Sequence, residues 1–512
     1  MGPEQAVEDL DVVVVGAGLS GIGAACRLRQ EHPGASTVVL EAREAVGGTW
    51  DLFRYPGVRS DSDIHTLAFP FRPWRGEEVI VDGPSILEYL TATARDAGLG
   101  PILRLGRRVL AASWSSREAR WELEVGLADG GLERYRCRLL YLCTGYYRYD
   151  RGHAPELPGV ERFAGRVVHP QLWPGDLDHA GKRVVVVGSG ATAVTLVPAL
   201  ARSAAHVTML QRSPSWVVSA PSKDPAARRL ARLPAGAGAR VQRARYLLRT
   251  QAFYLFCRHA PTRAAAWLRR AAVAALPPGY DVDTHFTPRY RPWEQRVCLA
   301  PDGDLFAAIR SGAASVVTDR ITTLSESGVQ LASGAELPAD LVVTATGLEV
   351  ELLGGIELRV DGRAVRISEC VDYKGVMLAG VPNLALSFGY VNASWTLKSD
   401  LVARWVCRLL GEMDAGGWDQ ATPACPDPAQ PTEPWLPLRS GYLRRAEDRL
   451  PRQGRRPPWR RNHDYLRDLV LLGRSPSADP SLVLSRRRRP ASGAEDWVGR
   501  PAPGSAVGGG GR

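Results

Sequence analysis

The stretch Asp11–Gly21, DVVVVGAGLSG, decides the fold of this chain. Four valines in a row, with no polar residue between them, suit a strand buried on both faces of a parallel sheet. Gly16, Gly18 and Gly21 then follow at G-x-G-x-x-G spacing, with Ser20 among them, and the helical stretch IGAACRLRQE comes next. Gly16 permits a tight turn, Gly18 lets backbone approach a pyrophosphate, and Gly21 allows the helix to pack closely on the strand. The helix then presents its positive end to the phosphates. TVVLE at 37–41 supplies the next strand, which ends in Glu41. A carboxylate there accepts hydrogen bonds from ribose hydroxyls and repels a 2′-phosphate, so the expected ligand is FAD or NAD rather than NADP.

The same unit occurs again downstream. KRVVVV at 182–187 is a strand, and Gly188, Ser189, Gly190, Ala191, Thr192 and Ala193 form a G-x-G-x-x-A loop. A helical stretch follows, and then the strand HVTMLQR at 206–212. This strand ends in Gln211 and Arg212 instead of an acid, and an arginine there meets a 2′-phosphate with charge-assisted hydrogen bonds. Opposite terminal charges imply two different dinucleotides, FAD at the first loop and NADPH at the second. The expected fold is α/β, with two Rossmann-like dinucleotide-binding domains. Between 221 and 294, small residues, arginines and aromatics recur at helical spacing, which predicts a helical insertion. The resulting division assigns 1–155 and 348–475 to an FAD domain and 156–220 and 295–347 to an NADPH domain. The insertion takes 221–294, and 476–512 is expected to be a disordered tail rich in Pro, Gly, Ser and Arg.

Composition narrows the class. A chain of 512 residues is expected to hold two or three domains. No apolar run is long enough to span a bilayer, and MGPEQAVEDLD does not read as a signal peptide. The eight cysteines contain no C-x-x-C, which argues against a metal centre, a disulfide framework or a dithiol flavoprotein reductase and points to a cytoplasmic setting. The formal charge of +11 is uneven: residues 221–294 carry fourteen Arg or Lys against four Asp or Glu. No nucleic-acid module accompanies this charge, so no nucleic-acid partner is expected. The basic helices offer a face for peripheral contact with the inner surface of the cell membrane. Nothing in the sequence sets the oligomeric state.

Between the two loops lies FAGRVVHPQLWP, residues 163–174, which reads F-x-G-x-x-x-H-x-x-x-W-P through Phe163, Gly165, His169 and Trp173. This string resembles the fingerprint of type I Baeyer–Villiger monooxygenases. The resemblance runs from about residue 10 to about 475 through GGTWDLFRYPGVRSDSD at 47–63, GSGATAVTLVPAL at 188–200, PWEQRVCL at 292–299 and NASWTLK at 392–398. It weakens in the insertion and the tail.

The resemblance implies roles that the residues alone do not reveal. Thr49, Trp50, Asp51, Leu52 and Val109 are implied to line the flavin. Asp61, on its own a surface loop acid, falls at the family's active-site aspartate beside flavin and nicotinamide, with Arg59 and Ser60 as further cofactor contacts. Arg296 matches the arginine that sits above the flavin. Oxygenation of a ketone develops negative charge, and a fixed guanidinium stabilises it. Gln295 departs from the lysine found there in many larger family members, which shifts phosphate recognition toward Arg212. His169 is implied to couple nicotinamide movement to turnover, with Phe163 and Trp173 as packing anchors of a hinge-like link between the domains. The expected activity is NADPH- and O2-dependent conversion of a small ketone to an ester or lactone, with oxygenation of sulfides or thiocarbonyls by the same oxidant. The alternatives are an N- or S-oxygenase without ketone activity and a non-catalytic, electron-carrying flavoprotein.

Overall fold

The computed structural model describes residues 7–487 except 231, 234, 235, 426, 428, 429 and 439. The valine strand forms as Glu8–Val15 and lies inside a nine-stranded sheet. It runs parallel to Thr37–Leu40 on one side and Leu132–Leu142 on the other. Val12 and Val14 face one hydrophobic core, Val13 and Val15 the other. Both faces are covered, so none of the four positions tolerates a polar side chain, and the sequence shows an unbroken run instead of alternation. Helices Leu19–Glu31 and Trp395–Gly416 build the first core. The antiparallel pair Arg107–Ser115 and Arg120–Leu127 extends the sheet, with Trp114 and Trp121 meeting across it at 5.7 Å.

A second sheet holds five parallel strands in the spatial order Ala314–Thr318, His206–Gln211, Arg183–Val187, Leu341–Thr344 and Arg166–Val168. After it, the chain returns to the first sheet through strands Glu357–Val360 and Leu384–Leu386. The outgoing and returning crossings, Tyr147–Gly152 and Leu348–Val350, pair antiparallel with each other. Among the described residues, 225–286 supply four α-helices, the longest being Ala237–His259 and Pro261–Ala275.

The expectation of a disordered tail from residue 476 is corrected. Pro476–Ala478 forms a helical turn, and Leu482–Ser485 pairs antiparallel with Gln420–Pro423, burying Leu482. A short apolar run among Pro, Ser and Arg looks unsupported in sequence because the strand that satisfies its backbone lies far away along the chain. The rest of that expectation, residues 488–512, lies outside the described residues.

Candidate active site between two nucleotide loops

A cavity of about 1780 Å³ is lined by both glycine loops and by residues from the crossings between the sheets. It exceeds the roughly 300–1,000 Å³ of a pocket for one small ligand, so it has room for more than a single substrate.

At the first loop, a Cβ built on Gly21 would stand 1.7 Å from the carbonyl oxygen of Gly16. Only glycine lets the helix Leu19–Glu31 start this close to the strand before it. The helix begins at Gly18 without any side-chain cap, so its first-turn N–H groups face the cavity with no side-chain acceptor. Gly18 approaches Gly48 so closely that a Cβ at 18 would lie 3.5 Å from the Gly48 Cα, which leaves a backbone-walled groove suited to a pyrophosphate. Glu41 is buried, and its carboxylate accepts from the backbone N–H groups of Ala17 at 2.7 Å and Arg43 at 2.9 Å. Burial raises its pKa, against the opposing pull of those two donors. Ser20, Thr49, Trp50 and Val109 complete this end of the wall. These features fit an adenine dinucleotide that brings ribose hydroxyls to Glu41.

At the second loop, Gly190 begins helix Ala191–Leu200, again without a side-chain cap. Ser189 donates to the backbone oxygen of Ser213 at 2.9 Å. Gly188, Ser189, Gly190, Ala191 and Thr192 all reach the wall, and so does the exposed side chain of Arg212. Arg320, just past the neighbouring parallel strand Ala314–Thr318, is a second exposed cation in the same wall. Sequence reading missed it, because only the sheet order brings the ends of these two strands side by side. Arg59 and Ser60 also line the cavity. Arg59 donates one Nη to Asp304 at 2.5 Å, while its other Nη and the Ser60 hydroxyl are buried without a partner. Orphaned donors beside two exposed arginines fit an anionic second dinucleotide.

Arg296 and Asp61, 235 residues apart, meet in this cavity as an ion pair from Nη1 to Oδ2. Their side chains keep 30% and 49% exposure, so the pair stands in the wall rather than beneath it. Burial alone would lower the guanidinium's pKa, but Asp61 and the phenols of Tyr146, Tyr442 and Tyr147 hold it well above its usual range. Tyr146 stacks on Trp395 at 5.4 Å with an interplanar angle of 6° and bonds the Tyr147 hydroxyl at 2.6 Å. Trp395 in turn donates to Ser20 at 2.8 Å. The aromatic group therefore ties the arginine's surroundings to the first glycine loop. Its signal was present in the TGYY turn that ends strand Leu132–Leu142, but nothing in one sequence links that turn to Trp395 or Tyr442. Trp293, three residues before Arg296, has φ +66°, a strained conformation for so bulky a residue. It packs edge-on against Tyr254 of the long helix at 5.5 Å, anchoring the loop that carries the arginine.

Other expected residues lie elsewhere. Asp51 and Leu52 do not line the cavity. Asp51 is buried, with both oxygens taken, one by Arg43 and the other by Arg54 at 2.8 Å, so it braces the loop rather than facing a ligand. Gln211 is also off the wall, donating to the backbone oxygen of His285 and to Thr318. Gly21 and Ala193 sit behind their loops and serve packing. None of Phe163, Gly165, His169 and Trp173 touches the cavity. Phe163 is buried in a small core with Val185 and Leu210 on the second sheet, Trp173 packs on that sheet's main core, and a Cβ on Gly165 would strike the Phe163 ring. The expected packing anchors thus belong to the second sheet itself, and only His169 reaches the crossings. Its Nδ1 accepts from the Gln171 N–H at 3.1 Å, which leaves Nε2 to donate to the Gly347 carbonyl at 3.1 Å. Burial lowers its pKa, which favours the neutral ring. Its ring fills the space of a Gly152 side chain, whose Cβ would fall 1.9 Å from Cε1. Among the described residues, no group of His, Cys, Asp or Glu is placed to hold a metal ion.

Comparison with known proteins agrees with this geometry. The family described as flavin-binding monooxygenase-like matches residues 78–228, and the NAD(P)-binding Rossmann-like domain family matches residues 14–75. The FAD-containing monooxygenase EthA of Mycobacterium tuberculosis is 49% identical over 94% of this chain and 99% of its own length. EthA of Mycolicibacterium smegmatis is 48% identical over 95% and 99%. Among solved structures, an oxidised steroid monooxygenase bound to NADP has a TM-score of 0.75 at 23% identity, covering 93% of this chain and all of that one. A cyclohexanone monooxygenase in an open state has a TM-score of 0.73 at 21% identity, covering 94% of this chain and all of that one. At these identities the structural matches establish the α/β fold with paired Rossmann-like units.

Proposed function

The chain belongs to the FAD-containing monooxygenase family, and from that premise we propose that it is a Baeyer–Villiger monooxygenase acting on small ketones. Its cofactors are FAD and NADPH. In the proposed reaction, ketone, O2, NADPH and one proton give an ester or lactone, NADP+ and water, with one oxygen atom entering the product and the other leaving as water. When bound, FAD supplies hydride acceptance from NADPH and activation of O2.

The chain's residues supply position and charge. The uncapped helix start at Gly18 and the buried Glu41 hold the FAD pyrophosphate and ribose on the first-sheet domain. Arg212, with Arg320 beside it, holds the NADPH 2′-phosphate on the second-sheet domain. Arg296 keeps a permanent cation where negative charge develops on the substrate oxygen. Asp61 holds one end of that guanidinium and so fixes its orientation. The single observation that carries the reading is the Arg296–Asp61 pair, placed in a cavity that both glycine loops line.

The experiment is NADPH-dependent turnover of a panel of linear, cyclic and aryl ketones, and of sulfides, with products identified by mass spectrometry. Esters or lactones carrying one oxygen from labelled O2 are the expected outcome. Oxidised sulfides with no ester from any ketone would replace this reading with a sulfur oxygenase.

A further inference from the structure

The helix Ala237–His259 turns an apolar face outward. Val241, Ala244, Leu248, Ala252 and Leu255 recur at spacings of three and four, so they lie along one stripe, and all five are exposed. Val241, Leu248 and Leu255 keep 47%, 57% and 40% of their surface in solvent. Gly238, Gln242, Tyr246 and Cys257, on the opposite side, are the residues buried against the protein. Exposed Arg240 borders the stripe on one flank and exposed Arg249 lies on the other, where Arg245 is ion-paired with Asp224 at 2.7 Å. On the next helix, Pro261–Ala275, exposed Arg263 and Arg270 lie between exposed Trp267 and Val273. Residues 225–275 contain eleven arginines and no Asp or Glu.

We infer that this face of the helix Ala237–His259 is a docking surface for an anionic lipid bilayer. A stripe of large aliphatic side chains flanked by arginines is what an interfacial helix needs: the apolar chains enter the acyl boundary while the guanidinium groups stay at the headgroups. The charge excludes a second copy of the same face, which would set arginine against arginine. The aliphatic stripe, in turn, has no use for nucleic-acid phosphates. Trp267 is 41% exposed, and its ring meets Phe253 edge-on at 6.1 Å. Trp267 and Phe253 both line the cavity, on the side of the long helix turned away from the stripe. This surface is independent of the reaction assigned above.

The test is co-sedimentation of the full-length, flavin-loaded protein with phosphatidylglycerol/phosphatidylcholine vesicles and with pure phosphatidylcholine vesicles. Wild type should pellet with the anionic vesicles. Its partition coefficient should fall severalfold at about 0.5 M salt, where the screening length shrinks to a few Å. The double variant L248E/L255E should lose at least about tenfold in partitioning, since two apolar anchors become like-charged with the lipid. Both positions are solvent-exposed, so flavin content and NADPH-driven flavin reduction should match wild type. Leu132→Glu, at a comparably exposed leucine (46%) of the first sheet, should bind as wild type does. Absence of wild-type binding to anionic vesicles would overturn the proposal. So would equal binding by L248E/L255E, equal loss in Leu132→Glu, or a dimer that L248E/L255E converts to monomer.

Discussion

Replacing Arg296 by alanine should separate oxygenation from everything else this protein does. The structural loss is small, because the Arg296–Asp61 pair keeps 30% and 49% exposure and an exposed pair contributes at most about 1 kcal/mol. Asp61, left alone, can be solvated from the cavity. No hydrophobic core includes Arg296, so folding and flavin retention should survive. The chemical loss is larger. A fixed donor or cation at a developing oxyanion contributes about 2.7–4 kcal/mol, which corresponds to a fall of about 10²–10³ in the oxygenation rate. Stopped-flow bleaching of the flavin by NADPH, followed by product analysis under O2, reads the two halves separately. The expected result is flavin reduction within a few-fold of wild type, with ester formation lost by two to three orders of magnitude and O2 consumption diverted to hydrogen peroxide. Arg296→Lys should recover only part of the activity, because an ammonium cannot keep the fork that spans Asp61 and the substrate. Ester formation within about threefold of wild type in Arg296→Ala would refute the assignment, since a charge worth that little is not stabilising the transition state.

Other outcomes follow from the same geometry. Arg212→Ala should raise the KM for NADPH about 10- to 100-fold, the loss of one charge-assisted phosphate contact, while leaving the KM for NADH unchanged; Arg320→Ala should move the same ratio in the same direction. Equal effects on both coenzymes would remove these arginines from the 2′-phosphate site. Gly21→Ala puts a Cβ 1.7 Å from the Gly16 carbonyl oxygen and should yield protein that has lost FAD, measured as the 450 to 280 nm absorbance ratio; a normally yellow variant would contradict the loop reading. Acid should destabilise the fold through His65, which burial pushes down to about 4 despite the opposing pull of Asp224. The unfolded imidazole takes up its proton near pH 6.5 and the folded one only near 4, so this contribution is complete above pH 6.5. It is lost as pH falls toward 4, by up to about 3 kcal/mol. His65→Gln can still accept from Gln242, now 3.5 Å from the ring nitrogen, and denaturant titrations at pH 7 and pH 4 should differ less in this variant than in wild type.

The nucleotide-binding architecture was legible because its signals are local. The valine run, the glycine spacing and the acid or arginine closing each second strand lie within about thirty residues of one another, the span of one β-α-β unit. The roles of neighbouring residues were harder to read. Asp51 and Gln211 stand beside true wall residues in sequence, yet Asp51 turns to Arg43 and Arg54 and Gln211 to His285 and Thr318. A strand sends adjacent side chains to opposite faces and a helix turns each one by about 100°, so proximity along the chain does not place a residue in the cavity. The fingerprint was informative in the same indirect way: it marks the family through residues that build the second sheet's core and edge.

What the sequence determined by itself is the pair of Rossmann-like units, their distinct dinucleotides and the family to which the chain belongs, because strand burial, helix-start geometry and terminal charge each need only a short segment. What the tertiary structure decided is which distant residues meet. Asp61 comes to Arg296, Arg320 comes beside Arg212, and Tyr146, Trp395 and Tyr442 gather around the guanidinium, because the chain leaves the first sheet at Tyr147–Gly152 and returns at Leu348–Val350. Those pairings arise from long-range packing between two sheets and a helical insertion, and no periodicity within a single segment encodes them.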